Sequence, residues 1–306
     1  MMSNTNDDHI IFVTMVRTVG EKSKVRLLIE SIRAFGGGLR ECPIWLFEVN
    51  SQDVPCDCVA SEGVEVIPLN LPNTVKGYYF ADKVYACARA EEMASQNVQT
   101  LVWVDPTCLM IQPPLLFDLG ESFHAAVRPV HIQNVGLSAS APVGEFWKGV
   151  YEVVGVSDIR TTVETFVGAE QIRSYFNSHA FAISPSKGLL GWWFECFQCL
   201  VSDEDYQKIA CPDELYRIFL HQAILSAALV VRLEPKGIRI LPPEYNYPYN
   251  LHSSVPEDRR AEALNELVCI TYENRVIDPD QVEDIIINEP LRSWLGTHVG
   301  PNEKTA

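Results

Sequence analysis

The sequence is poor in basic residues, with 24 lysines and arginines against 40 aspartates and glutamates and a formal net charge of −16. No run of Lys or Arg stands out from this acidic background. Because nucleic acids and anionic membrane surfaces are bound through basic faces, the composition argues against both as partners. A nucleotide ligand remains compatible with it, since a few local cations, backbone amides or a metal ion can hold a diphosphate.

Targeting signals and long apolar runs are also missing. The first ten residues, MMSNTNDDHI, lack the basic region and the apolar run that are typical of a signal peptide. No apolar stretch approaches the length of roughly 20 residues that spans a bilayer. We therefore expect a cytoplasmic protein without a membrane span.

The nine cysteines are an odd number, and several lie inside apolar segments, where buried reduced thiols are the simplest account. Cys196 and Cys199 form a Cys-x-x-Cys pair within the bulky apolar segment WWFECFQCL, whereas thioredoxin-like chemistry needs a strand–turn–helix start. Cys56 and Cys58 would need two further soft ligands to bind a metal. Structural roles are therefore predicted for both pairs.

The length of 306 residues and a hydrophobic fraction of 47% predict one large α/β domain with a sizeable core. In the first third of the chain, fully apolar strand-like runs alternate with segments that carry apolar residues at helical spacing. This alternation is typical of a parallel sheet covered on both faces. The predicted elements are strands at 10–16, 43–49, 64–69 and 101–104 and helices at 24–35 and 80–94.

The second part of the chain is less regular. Its last long helix follows Pro212, a residue suited to a first helical turn. No internal repeat or low-complexity tract is present. The predicted elements are strands at 124–132, 175–184 and 238–241 and helices at 143–154, 187–202 and 213–231.

The segment most informative about function is 100–114, TLVWVDPTCLMIQPP. An apolar strand ends there in Asp105, and a turn and a second apolar run follow. Because ligands of open α/β sheets lie beyond the carboxyl ends of the strands, Asp105 stands where a ligand-facing carboxylate is expected. The alternative is a plain Asp-Pro turn.

This segment resembles the region around the Asp-x-Asp motif of GT-A glycosyltransferases, in the nucleotide-diphospho-sugar transferase superfamily. Other segments resemble the family in the same order. HIIFVTMV is similar to the first strand under the nucleotide, YFADKVYACARA to the helix whose lysine lies near the donor, and YFNSHAFAISP to the strand with Asn-Ser-Gly. FLHQAILSAAL is similar to the helix that begins with Asp-Gln, and LPPEYNYP with LVCITYENRV to the acceptor-side segment. The resemblance covers about residues 9–295.

The resemblance implies a GT-A-like α/β fold, in which helices flank a central mixed, mostly parallel sheet. It implies one domain over 1–306, with a nucleotide-binding half at 9–115, an acceptor-side half at 116–295 and a mobile tail at 296–306. It also implies a nucleoside diphosphate sugar as donor. The implied donor-binding residues are Thr14, Arg17, Lys83, Asp105, Thr107, Asn177 and His179, and the implied catalytic residues are Asp105, His221, Gln222 and Glu244.

The sequence departs from the family at the positions that hold a divalent cation. In the enzymes both carboxylates of Asp-x-Asp bind Mn²⁺ or Mg²⁺ against the diphosphate. Here Thr107 replaces the second carboxylate, so Asp105 is left as the metal ligand of the motif. Alternatively, cationic side chains stabilise the diphosphate without a metal. The cations near the motifs are Arg17, Lys22, Lys24, Lys83 and Arg128.

Several candidates also have a purely structural interpretation. His179 and His221 stand where the family has Gly and Asp, and histidines in apolar settings are often hydrogen-bonded core residues. Lys83 is equally consistent with a lysine that extends from a half-buried helix. Glu244 is either the base that removes the acceptor proton or part of a rigid aromatic corner, PPEYNYPYN.

Three functions therefore stay open. The first is transfer of a hexose from a nucleoside diphosphate sugar to an acceptor hydroxyl. The second is a catalytically silent GT-A relative that binds a nucleotide sugar or another protein in the same cleft. The third is a structural or interaction module without affinity for any nucleotide.

Overall fold

A computed structural model describes residues 9–49 and 63–299 of the chain. The helices of this part are α1 Lys22–Phe35, α2 Ala81–Met93, α3 Glu145–Val153, α4 Leu189–Ser202, α5 Glu204–Ala210, α6 Glu214–Arg232 and α7 Leu291–His298. The strands are β1 Ile10–Val16, β2 Ile44–Val49, β3 Val64–Leu69, β4 Thr100–Val104, β5 Cys108–Met110, β6 Ala125–Val127, β7 Thr162–Glu164, β8 Gln171–Arg173, β9 Ala180–Ile183, β10 Ile238–Ile240, β11 Tyr247–Pro248 and β12 Cys269–Thr271.

A seven-stranded sheet in the order β10-β6-β9-β4-β1-β2-β3 forms the centre of the protein. Its neighbouring strands are parallel except at β9, which runs antiparallel to β4 and β6. The register places Val13 opposite Trp103 and Val104 opposite Ala180. The predicted central mixed, mostly parallel sheet is confirmed.

Both faces of this sheet are covered, which explains why its strands are continuously apolar. Along β1, Val13 and Met15 belong to the core shared with α2, α4 and α6, whereas Phe12 and Val16 belong to the core shared with α1. Successive residues of a strand point to opposite faces, so a strand buried on both sides needs apolar residues throughout.

Two small sheets complete the second half of the chain. β11, β12 and β5 form one of them, and β7 and β8 form the other. The three-stranded sheet shares a separate core with α7, to which Leu109, Ile270 and Leu291 contribute. Through β5, which follows the turn at Asp105, this sheet is tied to the end of β4.

Most predicted elements are confirmed, but three predictions need correction. The strand predicted at 124–132 ends at Val127, because Pro129 has no N–H for a ladder and makes only an isolated bridge with Phe176. The strand predicted at 175–184 is reduced to Ala180–Ile183. Helix α6 begins at Glu214 after the N-cap Asp213, so Pro212 precedes its first turn. Helices α5 and α7 were not predicted from the sequence.

Two further predictions, the tail at 296–306 and the absence of a membrane span, can be compared with the structure. Residues 296–298 form the end of α7, Val299 is its C-cap, and residues 300–306 lie outside the described residues, as do Cys56 and Cys58. Helix α6, with 19 residues, is long and apolar enough to cross a membrane by length and composition, and 56% of its most apolar window is buried inside the protein. It packs against α3 and α4, as expected of a central core helix.

Candidate functional site

The candidate site lies at the carboxyl ends of β1 and β4. Strand β1 has β2 on one side and β4 on the other, so the chain direction across the sheet reverses between β1 and β4. Such a switch point is where open α/β sheets bind ligands. Arg17 follows β1, and Asp105 follows β4. Because β9 is antiparallel, His179, immediately before its first residue, reaches the same edge, and its carbonyl oxygen accepts a hydrogen bond from the Asp105 N–H at 2.7 Å.

Lys83 and Asp105 form a buried ion pair at this edge. Lys83 Nζ lies 3.1 Å from Asp105 Oδ2, and the two side chains are 1% and 7% exposed. The ammonium also donates to the Ser178 carbonyl oxygen at 3.3 Å and lies 5.0 Å from the centre of the Phe80 ring. Burial acts to raise the pKa of Asp105, but the nearby Lys83, His179 and Arg17 outweigh it and hold this pKa well below its usual range.

The other oxygen of Asp105 is held by Thr107. Oδ1 accepts the Thr107 hydroxyl at 2.8 Å and the Thr107 N–H at 3.2 Å, the geometry of a turn closed by an Asp side chain. Within 9–49 and 63–299, no group of three His, Cys, Asp or Glu side chains is arranged to hold a metal ion. A single carboxylate, paired with an ammonium and with a hydroxyl donor, does not fit the Mn²⁺ or Mg²⁺ predicted at Asp105.

Arg17 links the end of β1 to the start of α2. Its Nε donates to Asp82 Oδ2 at 2.6 Å, and its Nη1 donates to Glu21 Oε1 at 3.1 Å. Burial lowers the pKa of Arg17, but the negative charges of Asp82, Asp105 and Glu21 together raise it by more. The guanidinium therefore stays charged. Nη2 has no hydrogen-bond partner in the described part of the chain.

His179 is oriented from both sides. The Asn177 amide oxygen accepts from His179 Nδ1 at 2.9 Å and from the His179 N–H at 2.7 Å. Asn246 Nδ2 donates to the same oxygen at 2.7 Å, which fixes the Asn177 side chain. His179 Nε2 faces Glu273 Oε1 at 3.4 Å. The hydrogen bond from His179 lowers the pKa of Glu273, against the effect of burial.

His221 and Gln222, on α6, support the backbone of the site. His221 Nε2 lies 3.0 Å from the Ser178 hydroxyl, and His221 Nδ1 lies 2.8 Å from the Ile218 carbonyl oxygen. A carbonyl only accepts, so Nδ1 carries the proton and Nε2 accepts from Ser178. Gln222 Oε1 accepts the Ser178 N–H at 3.2 Å. Burial and the Lys83 charge lower the pKa of His221 well below its ordinary value, so this imidazole is neutral.

Beside these groups is a cavity of about 350 Å³. Its walls combine apolar side chains, such as Phe80 and Leu251, with several polar groups. A concavity in which polar groups converge between apolar walls is typical of small-molecule sites. The polar walls are Lys83, His131, Asn134, Asn177, Ser178, His179, His221, Gln222, Asn250 and Glu273.

Some predicted residues lie elsewhere. Glu244 is not brought to this cavity but lines a second one, of about 470 Å³, with Tyr247 and Arg259. The Thr14 hydroxyl is buried without a partner among the described residues and does not line the first cavity. Arg128 donates to the carbonyl oxygens of Pro242 and Tyr245, so its role is structural.

Two of the predicted cations, Lys24 and Lys22, do not line the first cavity, and several residues that do line it were not predicted. Lys24 Nζ donates to the carbonyl oxygen of Glu273 at 3.0 Å, so it supports the segment after β12. Lys22 is the first residue of α1 and is not without an interaction partner. His131, Asn250 and Glu273 were not predicted as cavity residues. Asn250, at the end of PPEYNYPYN, and Glu273, within LVCITYENRV, lie in segments that the sequence singled out, whereas His131 lies in the strand predicted at 124–132.

No family model matches this sequence, and no curated protein matches it either. Several solved structures, in contrast, are similar to the fold of this chain. A galactosyltransferase, LgtC, in complex with donor and acceptor sugar analogues, aligns over 94% of this chain and 94% of its own at a TM-score of 0.52 and 13% identity. WbbM, a bifunctional glycosyltransferase in its apo form, aligns over 97% of this chain and 53% of its own at 0.54 and 12%. The chain thus spans about half of WbbM. These likenesses confirm the GT-A-like fold.

Proposed function

We propose that this protein is a glycosyltransferase that binds a nucleoside diphosphate sugar at the switch point of its sheet and transfers the hexose to an acceptor hydroxyl. The observation that carries the proposal is the convergence of Arg17, Asp105 and His179 at this edge, beside the cavity of about 350 Å³. Ligands of open α/β sheets bind in this crevice. The surrounding fold is shared with LgtC, whose structure contains donor and acceptor sugar analogues.

The size of the cavity indicates that only part of the donor binds inside it. A volume of about 350 Å³ is at the lower end of the range for ligand pockets, so it suits one monosaccharide better than a whole nucleotide sugar. We therefore assign the hexose to the cavity and the nucleoside diphosphate to the strand ends outside it.

The transfer forms a bond between the acceptor oxygen and the anomeric carbon, and it breaks the bond from that carbon to the diphosphate. The electron pair of the broken bond stays on the diphosphate oxygen, so the leaving nucleoside diphosphate takes up negative charge, and the proton of the acceptor hydroxyl passes to this leaving group or to water. Preorganised positive groups stabilise such charge. Arg17, Lys83 and His179 are the cationic or protonatable side chains at this edge.

We propose that this charge is balanced by side chains instead of a divalent cation. Asp105 accepts two hydrogen bonds on Oδ1 and pairs with the Lys83 ammonium through Oδ2. Thr107, at the second motif position, acts as a donor to Asp105. A metal would have to displace the ammonium before it reached Asp105.

A second function, binding of a nucleotide sugar without transfer, is favoured by the same ion pair. Lys83 is 1% exposed and already bonded to Asp105 and to the Ser178 carbonyl, so its charge is largely used inside the protein. A site that had lost its catalytic metal but kept its fold would have this property.

Calorimetric titration tests the proposal. The purified protein would be titrated with UDP, GDP and their glucose, galactose and mannose conjugates, with Mn²⁺ and with EDTA. We expect binding of at least one conjugate that is indifferent to EDTA, and release of the free nucleoside diphosphate when an acceptor is added. Binding without release from any acceptor supports the silent relative, and absence of all nucleotide binding overturns the donor site.

A matched pair of arginine variants connects the binding to the site. Arg17→Gln removes a guanidinium at the switch point, and we expect it to weaken nucleotide binding at least tenfold. Arg160→Gln removes a guanidinium whose side chain is 91% exposed, and we expect no change. Equal effects of the two variants would mean that the nucleotide does not bind near Arg17.

A further inference from the structure

His131 is a buried histidine whose ring has no hydrogen-bond partner among the residues that the structure describes. The residue is 7% exposed and lines the cavity of about 350 Å³. Within the part of the chain that the structure describes, neither Nδ1 nor Nε2 contacts a donor or an acceptor. Buried polar atoms without partners lower stability, so they are rare in folded proteins and concentrate at functional sites.

The backbone around His131 is fixed, so the ring is not a loose surface group. Its carbonyl oxygen accepts from the Val167 N–H at 2.8 Å, and the Val130 N–H donates to the Tyr175 carbonyl oxygen at 3.2 Å. The nearest arginine in the chain, Arg128, is turned towards the carbonyl oxygens of Pro242 and Tyr245. The fixed backbone therefore places the imidazole at the cavity wall.

The charge state of His131 defines the chemistry of its ligand. Burial, together with the charges of Arg128 and His179, lowers the pKa of His131 well below its ordinary value, so the ring is neutral at neutral pH. A neutral imidazole has one N–H donor and one acceptor nitrogen. A phosphate or carboxylate only accepts and would leave one nitrogen unmet, whereas a hydroxyl group both donates and accepts.

A second side chain of the cavity has the same property. Asn250 lines the cavity, and its Oδ1 is buried without a hydrogen-bond partner among the described residues. An amide oxygen accepts, so it matches a ligand hydroxyl and repels a ligand oxyanion. His131 and Asn250 together offer one donor and two acceptors to a neutral, polyhydroxylated group.

We propose that His131 is a specificity-determining residue that binds hydroxyl groups of the transferred sugar, with Asn250 as a second acceptor. This inference rests on the proposed function, because it concerns the sugar part of the same donor. In this arrangement the neutral imidazole of His131 binds the sugar, and the strand ends bind the diphosphate.

Titration of a His131→Phe variant tests the inference. The ligands are UDP, GDP and their glucose, galactose and mannose conjugates. In the native protein we expect a conjugate to bind more tightly than its free diphosphate. In His131→Phe we expect the conjugate to lose about tenfold in affinity, since one hydrogen-bonded hydroxyl is lost, and the free diphosphate to bind as before. His131→Gln, which keeps a donor and an acceptor, should lose less.

Two controls make the result decisive. His124→Phe changes a histidine before β6, at the opposite edge of the sheet, and should leave all affinities unchanged. Conjugates whose sugar lacks one hydroxyl should bind the native protein more weakly, and for the hydroxyl that contacts His131 this difference should disappear in His131→Phe.

The outcomes separate this inference from the proposed function. If a conjugate binds and its advantage over the free diphosphate survives in His131→Phe, the inference is overturned and the proposed function stands. If no nucleotide or conjugate binds the native protein, both are overturned. If His131→Phe does not fold, the imidazole is a structural requirement and the inference is overturned, unless His131→Gln folds with native stability and impaired sugar binding.

Discussion

Lys83 Nζ lies 3.1 Å from Asp105 Oδ2, and both side chains are almost completely buried. The pair joins α2 to the end of β4, so two elements that are distant in the sequence meet through one charge on each. The ammonium pairs with Asp105 Oδ2 and Thr107 donates two hydrogen bonds to Oδ1, so both oxygens of the carboxylate are already engaged. The ion pair therefore has two consequences, one for stability and one for metal binding.

Removing the ammonium should be costly for stability. Lys83→Met leaves the Asp105 carboxylate buried and without its counter-charge. Breaking a buried pair in this way typically costs about 3–5 kcal/mol of the free energy of unfolding. Urea unfolding followed by tryptophan fluorescence measures the change.

The matched variants show whether the charge is responsible. The double change Lys83→Met with Asp105→Asn removes both charges and should recover much of the loss. Lys148→Met removes a lysine that is 55% exposed and 3.8 Å from Glu145, and it should change stability by less than about 0.5 kcal/mol. A Lys83→Met variant as stable as the native protein would show that the pair does not form.

The second consequence concerns engineered metal binding. Thr107→Asp alone restores the second carboxylate, but Lys83 still neutralises Asp105, so we expect no measurable Mn²⁺ affinity. Thr107→Asp combined with Lys83→Gln removes the ammonium and leaves two carboxylates for a hard cation. Calorimetry should detect Mn²⁺ binding in the double variant only. Tight binding to Thr107→Asp alone would contradict the role assigned to Lys83.

The sequence predicted the sheet better than the site. The apolar runs of β1 and β4 predict strands buried on both faces, and the position of Asp105 after β4 predicts a carboxylate at the ligand-binding edge. These features are predictable because they involve residues that are neighbours in the sequence. The partners of Asp105 and His179 are not predictable in this way, because Lys83 and Glu273 are distant in the sequence and reach them only in the folded protein.

His131 shows the limit most clearly. It follows β6, where the strand pattern ends early at Val127 and gives no periodic signal. Its proposed role rests on the lack of hydrogen-bond partners for the ring within the described part of the fold, which no local sequence pattern reveals. Glu244 shows the converse, since its loop position suggested a catalytic base and the fold places it at a different cavity.

Glu273 and Glu244 form a matched pair for a third prediction. Glu273→Gln removes the carboxylate that orients His179 Nε2, and we expect donor affinity or the rate of transfer to fall about tenfold. Glu244→Gln makes the same chemical change at the second cavity, and we expect no effect on either quantity. Calorimetry and an assay of nucleoside diphosphate release measure both. A loss of transfer in Glu244→Gln alone would instead identify Glu244 as the base.

The buried histidines predict a dependence of stability on pH. The pKa values of His131 and His221 lie well below the ordinary value near 6.5. Below about pH 6.5 the unfolded chain therefore takes up protons that the folded protein does not. The free energy of unfolding should fall as the pH decreases from 7 to 5, by up to about 1.4 kcal/mol per pH unit for each of these histidines.

The variant His131→Phe isolates the contribution of one ring. At pH 7 it should be no less stable than the native protein, because it removes a buried polar group that has no partner in 9–49 and 63–299. Between pH 6.5 and 5 its stability should fall less steeply, by up to about 1.4 kcal/mol per pH unit. The carboxylates Asp105 and Glu273, whose pKa values are lowered, stay ionised in this window and do not interfere. Parallel pH curves for the two proteins, measured by urea unfolding, would mean that His131 takes up its proton equally readily in the folded state.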